Sequence, residues 1–234
     1  MPTGLRFTQI TENNLGKNLE EKKLFNQQIN MWNEDKYSKE GSITYLGKSE
    51  FGNYDKYIIS FFEKDAVSGY YKDTYVEGLL VKVDKVFFVS NDSNYILVKA
   101  SKKDATKIIS LLTENKFIKR KNAILDTKEL QEKLSCDQDL TKSISGAYFK
   151  DIENVNINTI GIWGSDIDQS EEFREYASQE DSIISMLMIN FGSETIGITP
   201  EYGAVFYNRR SEENLLKGYD FVIKILKKLD MFID

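Results

Sequence analysis

No histidine occurs among the 234 residues, cysteine occurs once and proline twice. Without an imidazole the chain has no Ser-His-Asp or Cys-His catalysis, no histidine-metal nuclease centre and no histidine-based nicking chemistry. Any reaction would have to use Asp, Glu, Lys, Arg, Tyr, Ser, Thr or the lone Cys136. One thiol closes no disulfide within the chain, and one thiol without histidine does not make a structural zinc site. Cys136 lies in a polar stretch with no basic neighbour to mark it as a nucleophile. Long apolar runs are lacking too: nothing approaches the roughly 18 residues of a spanning helix. The Met1-Pro2-Thr3-Gly4 opening has no apolar segment of a secretory signal. A cytoplasmic location without membrane association is expected.

What is present suits an ordinary core. Hydrophobic residues make up 41% of the chain, with 13 Tyr and 14 Phe, which excludes a disordered polar chain. The formal charge of -6 and pI near 5.0 favour solubility and disfavour a general coat for nucleic acid. Abundant Lys, Asn, Ile and Tyr is the usage of an AT-rich bacterial or phage gene.

The most legible stretch is Ser182 to Phe232. Three short apolar runs, Ile183 to Phe191, Thr195 to Ile198 and Ala204 to Tyr207, are separated by Gly192-Ser193 and by Pro200-Glu201-Tyr202-Gly203, the pattern of strands joined by tight turns. Ser211 then stands as a helix N-cap with Glu212 and Glu213 in the first turn. Leu215, Leu216, Tyr219, Val222, Ile223, Leu226 and Leu229 follow at three- and four-residue steps and form one apolar stripe. A weaker copy lies 110 positions upstream, where Val86 to Val89, Tyr95 to Leu97 and Ser101 occupy the matching places and Asp104 completes a capping box. Strand, turn, strand, capped helix is a common unit with few identities here, so coincidence outweighs duplication.

Elsewhere the pattern predicts a strand over Leu5 to Ile10 and a helix over Asn18 to Trp32. Strands are predicted at Ile43 to Leu46, Tyr54 to Phe62, Tyr75 to Val83, Lys85 to Ser90 and Tyr95 to Lys99, with turns at Val83-Asp84-Lys85 and Asn91 to Asn94. A short helical run at Lys128 to Leu134, strands at Ile144 to Ile152 and Ile157 to Trp163, and a helix from Ser170 to Ser178 complete the chain. Consecutive strands without alternating helices indicate an α+β fold, predominantly antiparallel sheet with helices packed on it, with two similar strand-strand-helix halves if the match is a true one. The expected organisation is an N-terminal half over 1–120, a polar connector over 121–142 and a C-terminal half over 143–234.

Candidate sites each have a plain structural alternative. Asp166, Asp168, Glu171 and Glu172 follow an apolar run, where carboxylates hold a divalent ion, yet Glu171 and Ala177 stand where a calcium loop needs Gly and Glu. Capping of the next helix by Asp168 or Ser170 explains the same residues. Asp126-Thr127-Lys128 has the look of an acid-x-Lys nuclease motif and equally of a helix cap. Lysines 102, 103, 107, 116, 119 and 121 with Arg120 form a basic group that more often is a solvated face. Arg209 and Arg210 beside Tyr207, just before a helix N-terminus, are the preferred contact for an anion or an acidic partner. The aromatic stretch Phe51, Tyr54, Tyr57, Phe61, Phe62, Tyr70, Tyr71 and Tyr75 reads mainly as core, with Tyr70 and Tyr71 expected outside as a second contact.

With no complete catalytic set, the expectation is a cytoplasmic binding or regulatory module of immunity, antitoxin or host-phage conflict type, not an enzyme. It would contact a protein or an anionic ligand, nucleic acid or a nucleotide included, through Arg209, Arg210, Tyr207, Tyr70 and Tyr71, and need no cofactor. The alternative is a nuclease or phosphodiesterase using Mg or Mn on Asp166 and Asp168.

Overall fold

The computed structural model describes residues 3–19, 21–30, 36–65, 69–71, 74–76, 79–92, 94–121, 124–137, 144–153, 157–191, 194–207 and 211–231. In chain order the elements are β1 (Thr3–Asn13), β2 (Lys22–Asn30), β3 (Lys36–Lys48), β4 (Tyr54–Asp65), β5 (Gly69–Tyr71), β6 (Thr74–Val76), β7 (Leu79–Ser90), β8 (Tyr95–Lys99), α1 (Lys102–Glu114) and β9 (Ile118–Arg120). They continue with α2 (Thr127–Cys136), β10 (Ile144–Lys150), β11 (Thr159–Trp163), a 3-10 turn (Ile167–Gln169), α3 (Glu171–Ser178), β12 (Ile183–Phe191), β13 (Glu194–Thr199), β14 (Gly203–Phe206) and α4 (Glu212–Lys228). The fold is α+β with predominant antiparallel sheet. Among the described residues no helix is long and apolar enough to cross a membrane. Two compact units are present: residues 8–121, and residues 1–7 with 122–234.

In the unit 8–121, strands run in the order β2-β3-β4-β7-β8, with β1 beside β8 and β9 on β1. Alternate residues of these strands, Ile43, Tyr57, Ile59, Phe61, Phe87, Val89, Ile96 and Val98, turn toward Ala105, Ile108, Ile109 and Leu112 of α1. Side chains of the strand period and the helix period thus share one apolar layer. Between β7 and β8 polar side chains hold the backbone: Asn94 N–H donates to Asp92 Oδ1 at 3.2 Å, and Tyr95 N–H to Ser90 Oγ at 3.0 Å.

In the unit 1–7 with 122–234, the order is β11-β10-β12-β13-β14, closed by the first residues of β1, where Thr3 pairs with Phe206 and Arg6 with Gly203. Ala147, Phe149, Ile184, Leu187, Ile189, Ile196, Ile198, Ala204 and Phe206 are buried together with the apolar stripe of α4. Phe7 meets Tyr202 and Tyr219 edge-on with ring centroids 4.9 and 5.8 Å apart. Thr127 of α2 donates its hydroxyl to Ile184 O at 2.5 Å, tying that helix to β12.

The two expected capped helices form, although the Asp104 carboxylate, expected to complete a capping box, pairs with Lys85 at 3.0 Å, and their ends repeat in detail. Ser101 Oγ accepts from Asp104 N–H and Ser211 Oγ from Asn214 N–H, at 3.2 and 3.3 Å. At the far ends Lys116 and Asp230 both adopt left-handed backbone, φ 59° and 52°, and the next amides, Phe117 and Met231, each reach a carbonyl five residues back at 2.9 Å. This closure satisfies carbonyls a helix terminus leaves open.

Two expectations are corrected. The helix expected over Asn18 to Trp32 is replaced, over its described residues, by strand β2 at Lys22–Asn30, with Phe25, Gln27 and Ile29 buried on one face and Leu24 exposed on the other; Met31 and Trp32 lie outside the described residues. Imperfect helical spacing lost to a period of two, and the polar Gln27 is inside because its amide both donates to Phe62 O at 2.8 Å and accepts Phe62 N–H at 2.9 Å. It thereby satisfies a β4 residue beyond the last β3–β4 pair, Ser42 with Ser60. The turn expected at Val83-Asp84-Lys85 is also absent, because β7 runs unbroken through it and Lys85 reaches Asp104 at 3.0 Å.

Candidate binding face

In the unit that contains β10 to β14, pairing across the strands decides which residues share the face turned away from the helices. Gly146 opposes Trp163 and Met188; Tyr148 opposes Gly161 and Met186; Gly197 opposes Met188 and Val205. Residues directly opposite in a sheet point to the same side, so these side chains form one surface. Trp163 is 59% exposed and Tyr207 40%, while Met188 between them is 4% exposed. The Tyr207 hydroxyl donates to Met188 Sδ at 3.4 Å and lies 3.7 Å from Met186 Sδ, and Tyr148 packs edge-on to Trp163 at 5.1 Å. Burial, then the neighbouring Tyr148, raises the Tyr207 phenol above its ordinary value, so it stays a neutral donor.

Three glycines make room for this layer. A Cβ on Gly146 would collide with Met188 and Trp163, one on Gly161 with the Trp163 ring, and one on Gly197 with Met186 Sδ at 2.6 Å. The large side chains therefore lie flat across bare backbone, giving a shallow aromatic and thioether surface. Ile183, 48% exposed, extends it beside Lys150.

Of the residues singled out in the sequence, Tyr207 is on this face. Arg209 and Arg210 lie outside the described residues. Tyr70 and Tyr71 form β5, which pairs with β6 in a separate hairpin with Tyr70 opposite Tyr75. Tyr54, Tyr57 and Phe61 are core. Lys107 is engaged by Glu63 at 2.9 Å and lies over the Phe61 ring, and Lys119 pairs with Glu12.

Two residues of the acidic stretch, Asp168 and Ser170, make structural hydrogen bonds. Ser170 caps α3 through Phe173 N–H at 3.1 Å. Asp168 Oδ2 accepts from Ser135 Oγ at 2.9 Å, beside an open groove of about 490 Å³ that Gln131, Phe173 and Arg174 also line. Asp166 sits in left-handed backbone at φ 51° and makes no side-chain cap bond. Among the described residues no three acidic or thiol groups gather closely enough to hold a metal ion. Asp126 caps α2 by accepting from Lys128 and Glu129 N–H, both at 3.0 Å, while Lys128 Nζ is spent on Gln179 O.

Among the described residues of the unit 8–121, a polar cluster surrounds Asp55, whose side chain is 1% exposed. Lys17 and Lys48 reach it at 2.5 and 2.9 Å and Tyr45 donates its hydroxyl at 3.0 Å. Burial alone would push the carboxyl up, but the bonds from Lys17, Lys48 and Tyr45 outweigh it and hold Asp55 below the usual range. Tyr57, raised by burial and then by the charge of Asp55, donates to Gly16 O at 2.8 Å. The cluster ties the segments after β1 and β3 together and leaves its carboxylate no access to a ligand.

Trp163, Tyr148, Met186 and Met188 escaped the sequence reading. The available signal was β12 itself, apolar at nearly every position from Ile183 to Phe191. Such a strand is covered on both faces or exposes one apolar face. Compared with family models and with curated proteins, the chain matches none.

Proposed function

We propose that this chain is a protein-binding or regulatory module whose partner seats on the face of Tyr148, Trp163, Met186, Met188 and Tyr207. The observation that carries the reading is the aromatic and thioether layer, exposed at Trp163 and Tyr207, with glycines beneath it. Trp and Tyr give large contact area at little entropic cost, and methionine adapts to the shape it meets, which is why these types concentrate at interface centres.

Charge narrows the partner. Residues 1–7 with 122–234 hold 12 Lys and Arg against 21 Asp and Glu, net -9, whereas residues 8–121 hold 19 against 16, net +3. Phosphate backbones are repelled by the former, so the rings suit an apolar protein surface with a basic rim better than stacked bases. An acidic module neutralising a basic effector fits a cytoplasmic immunity, antitoxin or host-phage conflict role, where opposite charge speeds encounter.

The test is capture of partners from host extract by the intact chain and by a Tyr207→Ala, Met186→Ala variant at low and high salt. We expect a protein partner whose recovery falls about 10-fold or more in the variant and weakens as salt rises. Equal capture by the variant, or recovery of nucleic acid in place of protein, overturns the reading.

A further inference from the structure

We propose that strand β11 pairs with β11 of a second copy of this chain, making a two-fold dimer centred on Gly161. The first ground is the hydrogen-bond phase of the strand. Gly164 N–H donates to Ser145 O at 3.2 Å, and the register steps on from there through Gly146 with Trp163 to Lys150 with Thr159. In an antiparallel ladder bonded and non-bonded pairs alternate, so Ile162 and Ile160 bond to β10 while Thr159, Gly161 and Trp163 aim their N–H and C=O groups away from it. Among the described residues β11 pairs with β10 alone.

The second ground is composition. Thr159-Ile160-Gly161-Ile162-Trp163 carries no charge, no proline and no bulge, the devices that normally guard an edge. The opposite situation holds at β2, the outer strand of the other unit, where Lys22 and Lys23 lead a strand of mostly polar residues. An unguarded edge is suited to accept a strand.

The third ground selects the occupant. A two-fold interface must be complementary to itself. Laid antiparallel about Gly161, β11 sets Gly161 against Gly161, Thr159 against Trp163, and Ile160 against Ile162 of the other copy. The outward groups at 159, 161 and 163 then meet as three bonded pairs, and half-buried isoleucines face each other on the helix side. On the other side the indole of Trp163 already lies back over Gly161, close enough to bar a Cβ there. The two rings therefore cover the axis, over a position where only glycine leaves room.

Electrostatics separates this contact from partner binding. The strand is neutral but each unit that carries it is net -9. Self-association should strengthen as salt screens that repulsion, the opposite trend to capture of a basic partner.

Sedimentation from about 1 to about 200 µM is expected to show mass rising from 27.0 kDa toward twice that value, more fully at high salt. Thr159→Pro deletes an outward amide and none of the bonds to β10, so dimerisation should weaken about 10-fold with melting at low concentration unchanged. In the unmodified chain, amide exchange over residues 157–164 should slow with concentration while the rest of the sheet does not change. A mass of 27.0 kDa at every concentration overturns the proposal, as does a dimer whose exchange in 157–164 is the same as in the monomer.

Discussion

Asp55 is where one side chain decides most. Its carboxylate is buried, but the cations that neutralise it, Lys17 and Lys48, keep about half their surface in water, with exposures of 48% and 52%. Replacing it by asparagine strands no buried charge, because both lysines can return to solvent. The cost of Asp55→Asn should therefore be about 1–3 kcal/mol, the range for lost charge-assisted bonds, below the several kcal/mol of breaking a fully buried pair. The folded carboxyl titrates below its unfolded value, so the unfolded chain takes up more protons as pH falls. The stabilisation is complete above the ordinary carboxylate range near about pH 4 and disappears as pH drops through the folded value. Chemical denaturation of wild type and variant from neutral to acid pH should give curves that converge on the acid side. A constant offset at all pH values would show that Asp55 contributes through packing alone.

Elements differ in how openly the sequence declares them. α4 was legible because cap, acidic first turn, apolar stripe and basic last turn all agree over Glu212–Lys228, and Leu226 is buried as that stripe requires. Leu226→Ala should cost about 2–5 kcal/mol by thermal or denaturant unfolding; a change below about 0.5 kcal/mol would place the side chain outside the core. Ser211→Ala removes one cap bond and should cost about 1 kcal/mol, and Ser101→Ala, whose cap has the same geometry, should match it. β2 was illegible for the converse reason. Its buried Gln27 looks like surface until the backbone it satisfies is known, and that backbone lies 35 residues away in β4. The face of Trp163 was hidden similarly: Tyr148, Trp163, Met186 and Tyr207 come from separate segments and share a surface only through strand register, while Gly146, Gly161 and Gly197 contribute by having no side chain. Tyr207 alone stood out, because it adjoins a helix entrance.

At the scale of the whole molecule, one of the two compact units is not contiguous in sequence. The unit formed by 122–234 takes its last strand pairing from residues 3–6, and Phe7, 1% exposed, packs against Tyr202 and Tyr219 inside it. Phe7 N–H also donates to Tyr202 O at 3.1 Å, at a turn where Tyr202 itself holds left-handed backbone, φ 54°. A fragment of residues 122–234 alone should thus lose a buried phenylalanine worth about 3–5 kcal/mol and expose the amides of β14 that Thr3 to Arg6 cover. Domains of this size have only about 5–15 kcal/mol in hand, so the fragment should melt many degrees below the same fragment carrying residues 1–7 through a flexible linker. Phe7→Ala in the linked form should return it most of the way to the bare fragment. Equal melting of bare and linked fragments would mean that residues 1–7 do not belong to this unit's core, and the pairing of β1 with β14 would then be decorative instead of structural.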